Sequence, residues 1–138
     1  MLKALILNYG AFDAACTTTA SSQYGNGDFL LSNDEMEWFW GSYLEDKSLF
    51  SSPLVTPLKA NLSGQPPTYM VIADHDVLYD ENILMKERLL DSGVNVEARV
   101  YEGTIHAFLE SVSYGGIGEK ALQDTAIWLK KILLKTIA

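Results

Sequence analysis

The sequence has few cysteines and no long apolar runs, which are the features that mark secreted and membrane proteins. It contains one cysteine, Cys16, which cannot form a disulfide within the chain. It has no apolar run near the roughly 18 residues that a membrane-spanning helix needs. The apolar stretch at its N-terminus is too short for a signal peptide. We therefore expect a cytoplasmic protein with no membrane partner.

Basic residues are also scarce. Ten lysines and arginines stand against eighteen aspartates and glutamates, which gives a net charge of −8 at pH 7. A surface of this sign repels polyphosphates, so we do not expect a nucleic-acid partner. The 138 residues are 48% hydrophobic and 20% charged, which is typical of one globular domain with a packed core.

Short apolar runs alternate with segments of helical length. Residues 2–8 and 68–73 have no polar face, as in a parallel strand that helices cover on both sides. Residues 96–101 form a third run, in which Val96, Ala98 and Val100 alternate with polar residues and Tyr101. Strands separated by helix-length segments predict right-handed parallel crossovers, and hence an α/β sheet.

Local signals place the helices and loops between these strands. Ser32 and Glu35 have the spacing of a capping box and predict a helix start. Asp80 is the predicted N-cap of a second helix, which Gly93 ends, and a final helix is predicted from about residue 118. Loops are predicted at residues 17–27, at residues 51–67, which hold all four prolines, and at residues 102–106.

Polar side chains follow two neighbouring strands. Asp76 and His106 are 30 residues apart, about one βαβ unit, so both should reach the same edge of the sheet. A carboxylate that accepts the Nδ1–H of an imidazole leaves Nε2 free as a general base. His75 is adjacent to Asp76 and should point to the opposite side, so we interpret it as structural. Asp74 shares the face of Asp76, and strand periodicity does not choose between them.

The acidic cluster also allows a metal-site hypothesis. Several carboxylates close together suit a hard cation. The cluster nevertheless lacks EF-hand spacing, the H-E-x-x-H pattern and a cysteine pair. Negative charge at a helix N-terminus is the simpler explanation, so no metal is expected. The cluster consists of Asp74, His75, Asp76, Asp80 and Glu81.

Three stretches together resemble a known family. Ser52-Pro53-Leu54, residues 64–81 (GQPPTYMVIADHDVLYDE) and residues 102–108 (EGTIHAF) are similar to the C-terminal half of hormone-sensitive-lipase-like carboxylesterases of the acetyl esterase type. The resemblance implies a partial α/β-hydrolase fold, with a parallel sheet of about three strands, flanking helices and a cap-like insertion. The insertion would span about residues 11–50, and residues 51–138 would carry the catalytic acid and base.

The same resemblance implies roles for individual residues. Asp76 takes the place of the triad carboxylate and His106 that of the triad base, while Asp80 and Glu81 help to organise the loop after the acid. No serine here has glycine two positions away on both sides, and no His-Gly-Gly stretch is present. We therefore expect the nucleophile and the oxyanion hole of the complete enzyme to lie outside these residues. The substrate would be a small ester, and no cofactor is expected.

An alternative hypothesis is a non-catalytic interaction module. A half-fold would leave the strand at residues 2–8 at an open sheet edge, with unpaired backbone groups and apolar surface. Either a second copy or a complementary N-terminal half would cover it, so at least a dimer is expected. Five aromatic side chains either line a substrate pocket or, as is commoner at helical spacing, belong to the core. They are Phe29, Trp38, Phe39, Trp40 and Phe50.

Overall fold

The fold is a small parallel sheet with helices on both faces. The computed structural model describes residues 2–14 and 17–137, with side chains as far as residue 134. Within these residues, three strands pair in parallel in the order β1-β2-β3. The predicted α/β sheet is therefore confirmed. The strands are β1 (Leu5–Asn8), β2 (Thr68–His75) and β3 (Val96–Ile105).

In the part of the chain that the structure describes, four α-helices occupy the segments between and after the strands. The connection from β1 to β2 contains α1 (Thr19–Tyr24) and α2 (Asn33–Tyr43). The crossover from β2 to β3 contains α3 (Tyr79–Asp91), and α4 (Ile117–Ile137) follows β3. Short 3₁₀ helices lie at Lys47–Ser51, Pro57–Lys59 and Phe108–Tyr114. Among the described residues, no helix is both long enough and apolar enough to cross a bilayer.

The central strand β2 divides the core into two layers. Its residues alternate between the two faces of the sheet, so successive side chains enter different clusters. Tyr69 and Val71 pack with residues of α4, while Met70 and Ile72 pack with residues of α3. All four are essentially inaccessible to solvent, which explains why residues 68–73 lack a polar face. The partners include Ala121, Trp128 and Ile132 of α4 and Met85 and Leu89 of α3.

The predicted start of α2 and the predicted end of α3 are confirmed. Ser32 caps α2, since its hydroxyl accepts the Glu35 N–H while the Glu35 carboxylate accepts the Ser32 N–H. Gly93 follows α3 with φ of 77°, a left-handed conformation that glycine adopts without strain. The N–H groups of Gly93 and Val94 bind the carbonyls of Leu90 and Leu89. This pair of bonds is the Schellman arrangement, which ends a helix at a glycine.

Two local predictions are wrong. Residues 17–27 were expected to be a loop, but Thr18 and Ser21 form a capping box and α1 follows. The Ser and Thr residues that suggested a loop are those that bind free backbone groups at this helix start. Asp80 is not the N-cap of α3, because the helix begins at Tyr79 and its N-cap, Leu78, makes no side-chain cap bond. The Asp80 carboxylate instead accepts the N–H of Ala20 in α1, at 2.8 Å.

The predicted loop at residues 102–106 is also wrong in part. Strand β3 continues to Ile105, through an irregularity in its pairing with β2. In the predicted run at residues 96–101, the buried residue is Tyr101, which packs in the cluster on the α4 side, whereas Val100 is 41% exposed. Cys16, the single cysteine, lies outside the described residues.

Candidate active site

Asp76 and His106 meet at the carboxyl edge of the sheet. The His106 Nδ1 lies 2.8 Å from the Asp76 Oδ2. The Asp76 side chain is 1% exposed and the His106 side chain is 22% exposed. This geometry suits an imidazole that donates its Nδ1–H to a buried carboxylate, with its other nitrogen available for chemistry. The structure thus brings together the two residues singled out as acid and base, and their catalytic role stays a prediction.

The turn after β2 fixes the Asp76 carboxylate. Its Oδ1 accepts the N–H of Leu78 at 2.9 Å, and its backbone carbonyl accepts the N–H of Tyr79. Both side-chain oxygens are therefore bound, one to the start of α3 and one to His106. A buried carboxylate with both oxygens bound avoids the cost of an unpaired buried charge.

Asp74 and His75 form a second carboxylate–imidazole pair, separate from the first. The His75 Nδ1 lies 2.8 Å from the Asp74 Oδ1, and the His75 ring lies against the rings of Tyr24 and Phe29. Asp74 also accepts backbone N–H groups of β3. Partial burial opposes ionisation of Asp74, but the hydrogen bonds from His75 and from those amides hold its pKa below the usual value.

Tyr9 lies at the candidate site, and the sequence reasoning missed it. It directly follows β1, and its ring lies edge-on to the His106 ring with centroids 4.9 Å apart. It also contacts Phe108, at 6.0 Å between centroids. Burial and the nearby carboxylates of Glu110 and Asp76 raise the pKa of the Tyr9 hydroxyl. The signal that would have found Tyr9 is its position after a strand, at the same edge as Asp76.

The start of α3 holds the segment that follows Tyr9. The Asn82 amide accepts the N–H of Gly10 and donates to the Gly10 carbonyl, at 3.1 and 2.8 Å. The Glu81 Oε2 accepts the N–H groups of Phe12 and Asp13, at 3.2 and 2.7 Å. Burial, aided by the carboxylates of Asp13 and Asp76, raises the pKa of Glu81 to about 8 despite those two bonds.

A cavity of about 600 Å³ opens beside His106. Its other walls come from the end of β1, from α2 and from residues 54–57. Most of the lining is apolar, which suits a small ligand with few polar groups. The lining includes Leu31, Met36, Phe39, Trp40, Tyr43 and Val55.

The aromatic residues expected mainly in the core do not lie there. Trp38 and Phe39 are 66% and 51% exposed, and none of the five is among the buried residues. Trp40 packs at the margin of a small cluster around Met36, and it lines the cavity together with Phe39. The single buried residue of α2 is Met36, so this helix covers the cavity rather than filling a core.

The acidic cluster does not gather into a cation site. Among the described residues, no group of three or more histidine, cysteine, aspartate or glutamate side chains has the arrangement of metal ligands. The carboxylates of Asp74, Asp76, Asp80 and Glu81 instead each accept backbone N–H groups. Those N–H groups belong to different segments of the chain.

Comparison with known proteins supplies the family. A family model described as the alpha/beta hydrolase fold matches residues 1–110. The chain belongs to the alpha/beta hydrolase family. This α/β hydrolase is 31% identical over 117 residues to an ethyl acetate hydrolase of Pseudomonas putida and 33% identical over 112 residues to the carboxylic ester hydrolase LipN of Mycobacterium tuberculosis. An esterase of Pyrobaculum calidifontis matches 96% of the chain at 30% identity with a TM-score of 0.90.

The matches confirm the resemblance to hormone-sensitive-lipase-like esterases. They cover 84% and 80% of this chain but only 36% and 30% of the Pseudomonas and Mycobacterium proteins. The match to the Pyrobaculum esterase covers 44% of that protein. This α/β hydrolase chain therefore spans about a third of the length of the curated relatives it matches.

Proposed function

We propose that this chain supplies the acid–base couple of a carboxylic ester hydrolase. The observation that carries the proposal is the 2.8 Å contact between the His106 Nδ1 and the buried Asp76 carboxylate, with His106 lining a largely apolar cavity. Kinship with proteins named as ester hydrolases supports the same reaction class. The substrate we propose is a small, fairly apolar ester.

In the proposed reaction, Asp76 orients the base and His106 moves the proton. The carboxylate holds His106 as the Nδ1–H tautomer, so Nε2 can accept the proton of a serine hydroxyl as that oxygen attacks the ester carbonyl. His106 then returns the proton to the leaving alcohol, and a water molecule repeats the sequence to release the acid. Asp76 stabilises the imidazolium at each stage. The reaction consumes one water molecule and needs no cofactor.

The serine nucleophile and the oxyanion hole come, in this proposal, from outside these 138 residues. In this family the nucleophile lies in a G-x-S-x-G elbow between a strand and a helix, and no serine here has that setting. Residues 11–50 act as the cap-like insertion, because α2 supplies Met36, Phe39 and Trp40 to the cavity beside His106. By itself the chain is expected to lack triad-type esterase turnover.

One observation favours the alternative of a non-catalytic interaction module. Strand β1 lies at an edge of the described sheet and pairs only with β2 there, while Leu2 and Ile6 are 62% and 38% exposed. An open parallel edge with apolar side chains invites another strand. In this alternative, a second copy or a complementary half covers β1, and the contact between Asp76 and His106 is only structural.

A chimaera tests the ester hydrolase proposal. The portion of the Pyrobaculum esterase that this chain does not match is joined to residues 2–138, and hydrolysis of p-nitrophenyl acetate is measured. His106→Ala is expected to lower kcat by roughly 10⁶-fold, because without the base only the oxyanion hole and substrate binding still accelerate the reaction. His75→Ala, at the other histidine of this chain, is the matched control and should lose far less activity.

Two results would contradict the proposal. An active chimaera whose activity survives His106→Ala would show that another group serves as the base. Rapid hydrolysis by the purified chain without the added portion would show that the nucleophile lies within these residues.

A further inference from the structure

The pairing of β2 with β3 is irregular just before His106. Ala73 pairs with Tyr101, and the next recorded pair is His75 with Ile105. Two steps along β2 therefore correspond to four along β3, so β3 carries two extra residues at this point. Extra residues in a strand bend it and re-aim the side chains that follow. The first side chain after this strand is that of His106.

The extra residues present backbone N–H groups that β2 cannot bind in the regular ladder. An unpaired backbone N–H is costly where water has limited access, so the N–H of the buried Thr104 needs another acceptor, whereas Gly103 is exposed. Gly103 adopts φ of 72°, which glycine tolerates and other residues adopt with strain. Thr104 is buried at 3% exposure, and its hydroxyl binds the Tyr101 carbonyl across the bulge.

The Asp74 side chain supplies the acceptors. Its Oδ2 accepts the Gly103 N–H at 3.0 Å, and its Oδ1 accepts the Thr104 N–H at 2.9 Å. A carboxylate offers two oxygens to two adjacent donors, and bonds of this charge-assisted kind are stronger than those between neutral groups. The third donor to Asp74 is the His75 ring, through Oδ1.

We propose that Asp74 is a positioning residue, which binds the Gly103 and Thr104 amides and thereby fixes the bulge that carries the His106 ring to Asp76. This inference rests on the proposed function, since it assigns a residue that prepares the proposed base. Asp74 does not touch the base itself. It acts on the backbone two and three residues before His106, while Asp76, two residues after Asp74, accepts the ring nitrogen.

The location of its hydrogen bonds distinguishes Asp74 from a carboxylate that only stabilises the fold. Its bonds join β2 to β3 at the bulge just before His106, and do not lie within one helix or loop. Asparagine has the same size but only one carbonyl oxygen, so its amino group would face one of the two amides. The proposal therefore requires both oxygens, and that requirement is open to experiment.

Nitrogen-15 NMR of the His106 ring in the 138-residue chain tests the proposal. The wild-type ring should be held as the Nδ1–H tautomer by Asp76. Asp74→Ala should shift it toward the tautomer mixture of a free imidazole, and should accelerate amide exchange at Gly103 and Thr104 by about tenfold or more. The control is Asp46→Ala, which removes a carboxylate that accepts the Ser48 N–H at a distant 3₁₀ helix. It should leave the His106 spectrum unchanged.

Asp74→Asn is a second, milder variant, which keeps the test possible if Asp74→Ala does not fold. We expect one of the two amides to exchange faster and the His106 tautomer balance to fall between those of the wild type and of Asp74→Ala. A His106 spectrum that is unchanged in Asp74→Ala, or in Asp74→Asn if the alanine variant does not fold, would overturn the positioning role.

The test also separates this inference from the proposed function. A wild-type ring without a fixed Nδ1–H tautomer would overturn both, because the couple with Asp76 would not form. A fixed tautomer that depends on Asp74 supports the positioning role even if the chimaera proves inactive, and that inactivity would count against the ester hydrolase proposal alone.

Discussion

The buried carboxyl group of Glu81 makes the stability of this protein depend on pH in a direction that can be measured. Glu81 is 4% exposed, and its Oε1 is buried without a hydrogen-bond partner among the described residues. Burial is the main reason that its pKa rises to about 8. At neutral pH the folded protein therefore holds Glu81 mainly as the neutral acid, whereas the unfolded chain ionises it.

The sign and size of the effect follow from linkage. Because the folded pKa lies above the unfolded value of 4.5, the Glu81 contribution is fully present below about pH 4.5 and is lost as the pH rises through about 8. Each tenfold difference in proton affinity is worth about 1.4 kcal/mol. The free energy of unfolding should thus fall by about 3 kcal/mol between pH 4.5 and pH 7, and by about 5 kcal/mol above pH 9, as order-of-magnitude values.

Urea unfolding of the wild type and of Glu81→Gln across pH 5 to 9 measures this contribution. Glutamine keeps a carbonyl oxygen for the Phe12 and Asp13 amides but cannot ionise, so the variant should gain stability relative to the wild type as the pH rises. Glu87→Gln, at an exposed position of the same helix, is the matched control. If the free energy of unfolding changes with pH in the same way for the wild type and for Glu81→Gln, the assignment of a buried neutral acid is refuted.

Two further predictions concern the end of α3 and the open sheet edge. Gly93→Ala should lower the free energy of unfolding by about 1 kcal/mol, because φ of 77° is strained for alanine although its Cβ would meet no atom, and thermal unfolding measures the loss. Sedimentation at micromolar concentration should show the chain alone at least as a dimer, since β1 and its apolar side chains lie at an edge of the sheet as far as the structure describes it. A clean monomer would count against the interaction-module alternative.

The elements that the sequence predicts well are those with strong local signals. Ser32 with Glu35 and Gly93 each act within one helical turn, so their effect is visible in a few residues. The apolar run of β2 reflects burial on both faces, which needs no knowledge of the partners. The start at Thr18 was missed because its capping box uses Ser21 rather than Glu or Gln, within a stretch whose composition resembles a loop.

The contacts around His106 lie beyond such local reasoning. Asn82 and Glu81 bind residues that are 72 and 69 positions earlier in the chain, and nothing in either segment alone indicates the pairing. Tyr9 lies beside His106 only because β1 and β3 flank the same strand. Long-range packing of this kind decides the electrostatics of the site, including the raised pKa of Glu81.

The choice between Asp74 and Asp76 shows where strand periodicity stops applying. The two residues share a face only if the chain stays extended through both. Strand β2 ends at His75, and the chain turns at Asp76 to begin α3. Asp74, inside the strand, therefore faces the bulge of β3, whereas Asp76, in the turn, reaches the His106 ring.

The same turn explains why so many carboxylates lie close together in the sequence. Each accepts N–H groups from a different segment: Asp74 from β3, Asp76 from the start of α3, Asp80 from α1 and Glu81 from the segment after β1. Each carboxylate is held by its own N–H partner, and among the described residues these side chains do not form the arrangement of metal ligands. The cluster therefore ties four segments of the chain to the turn after β2.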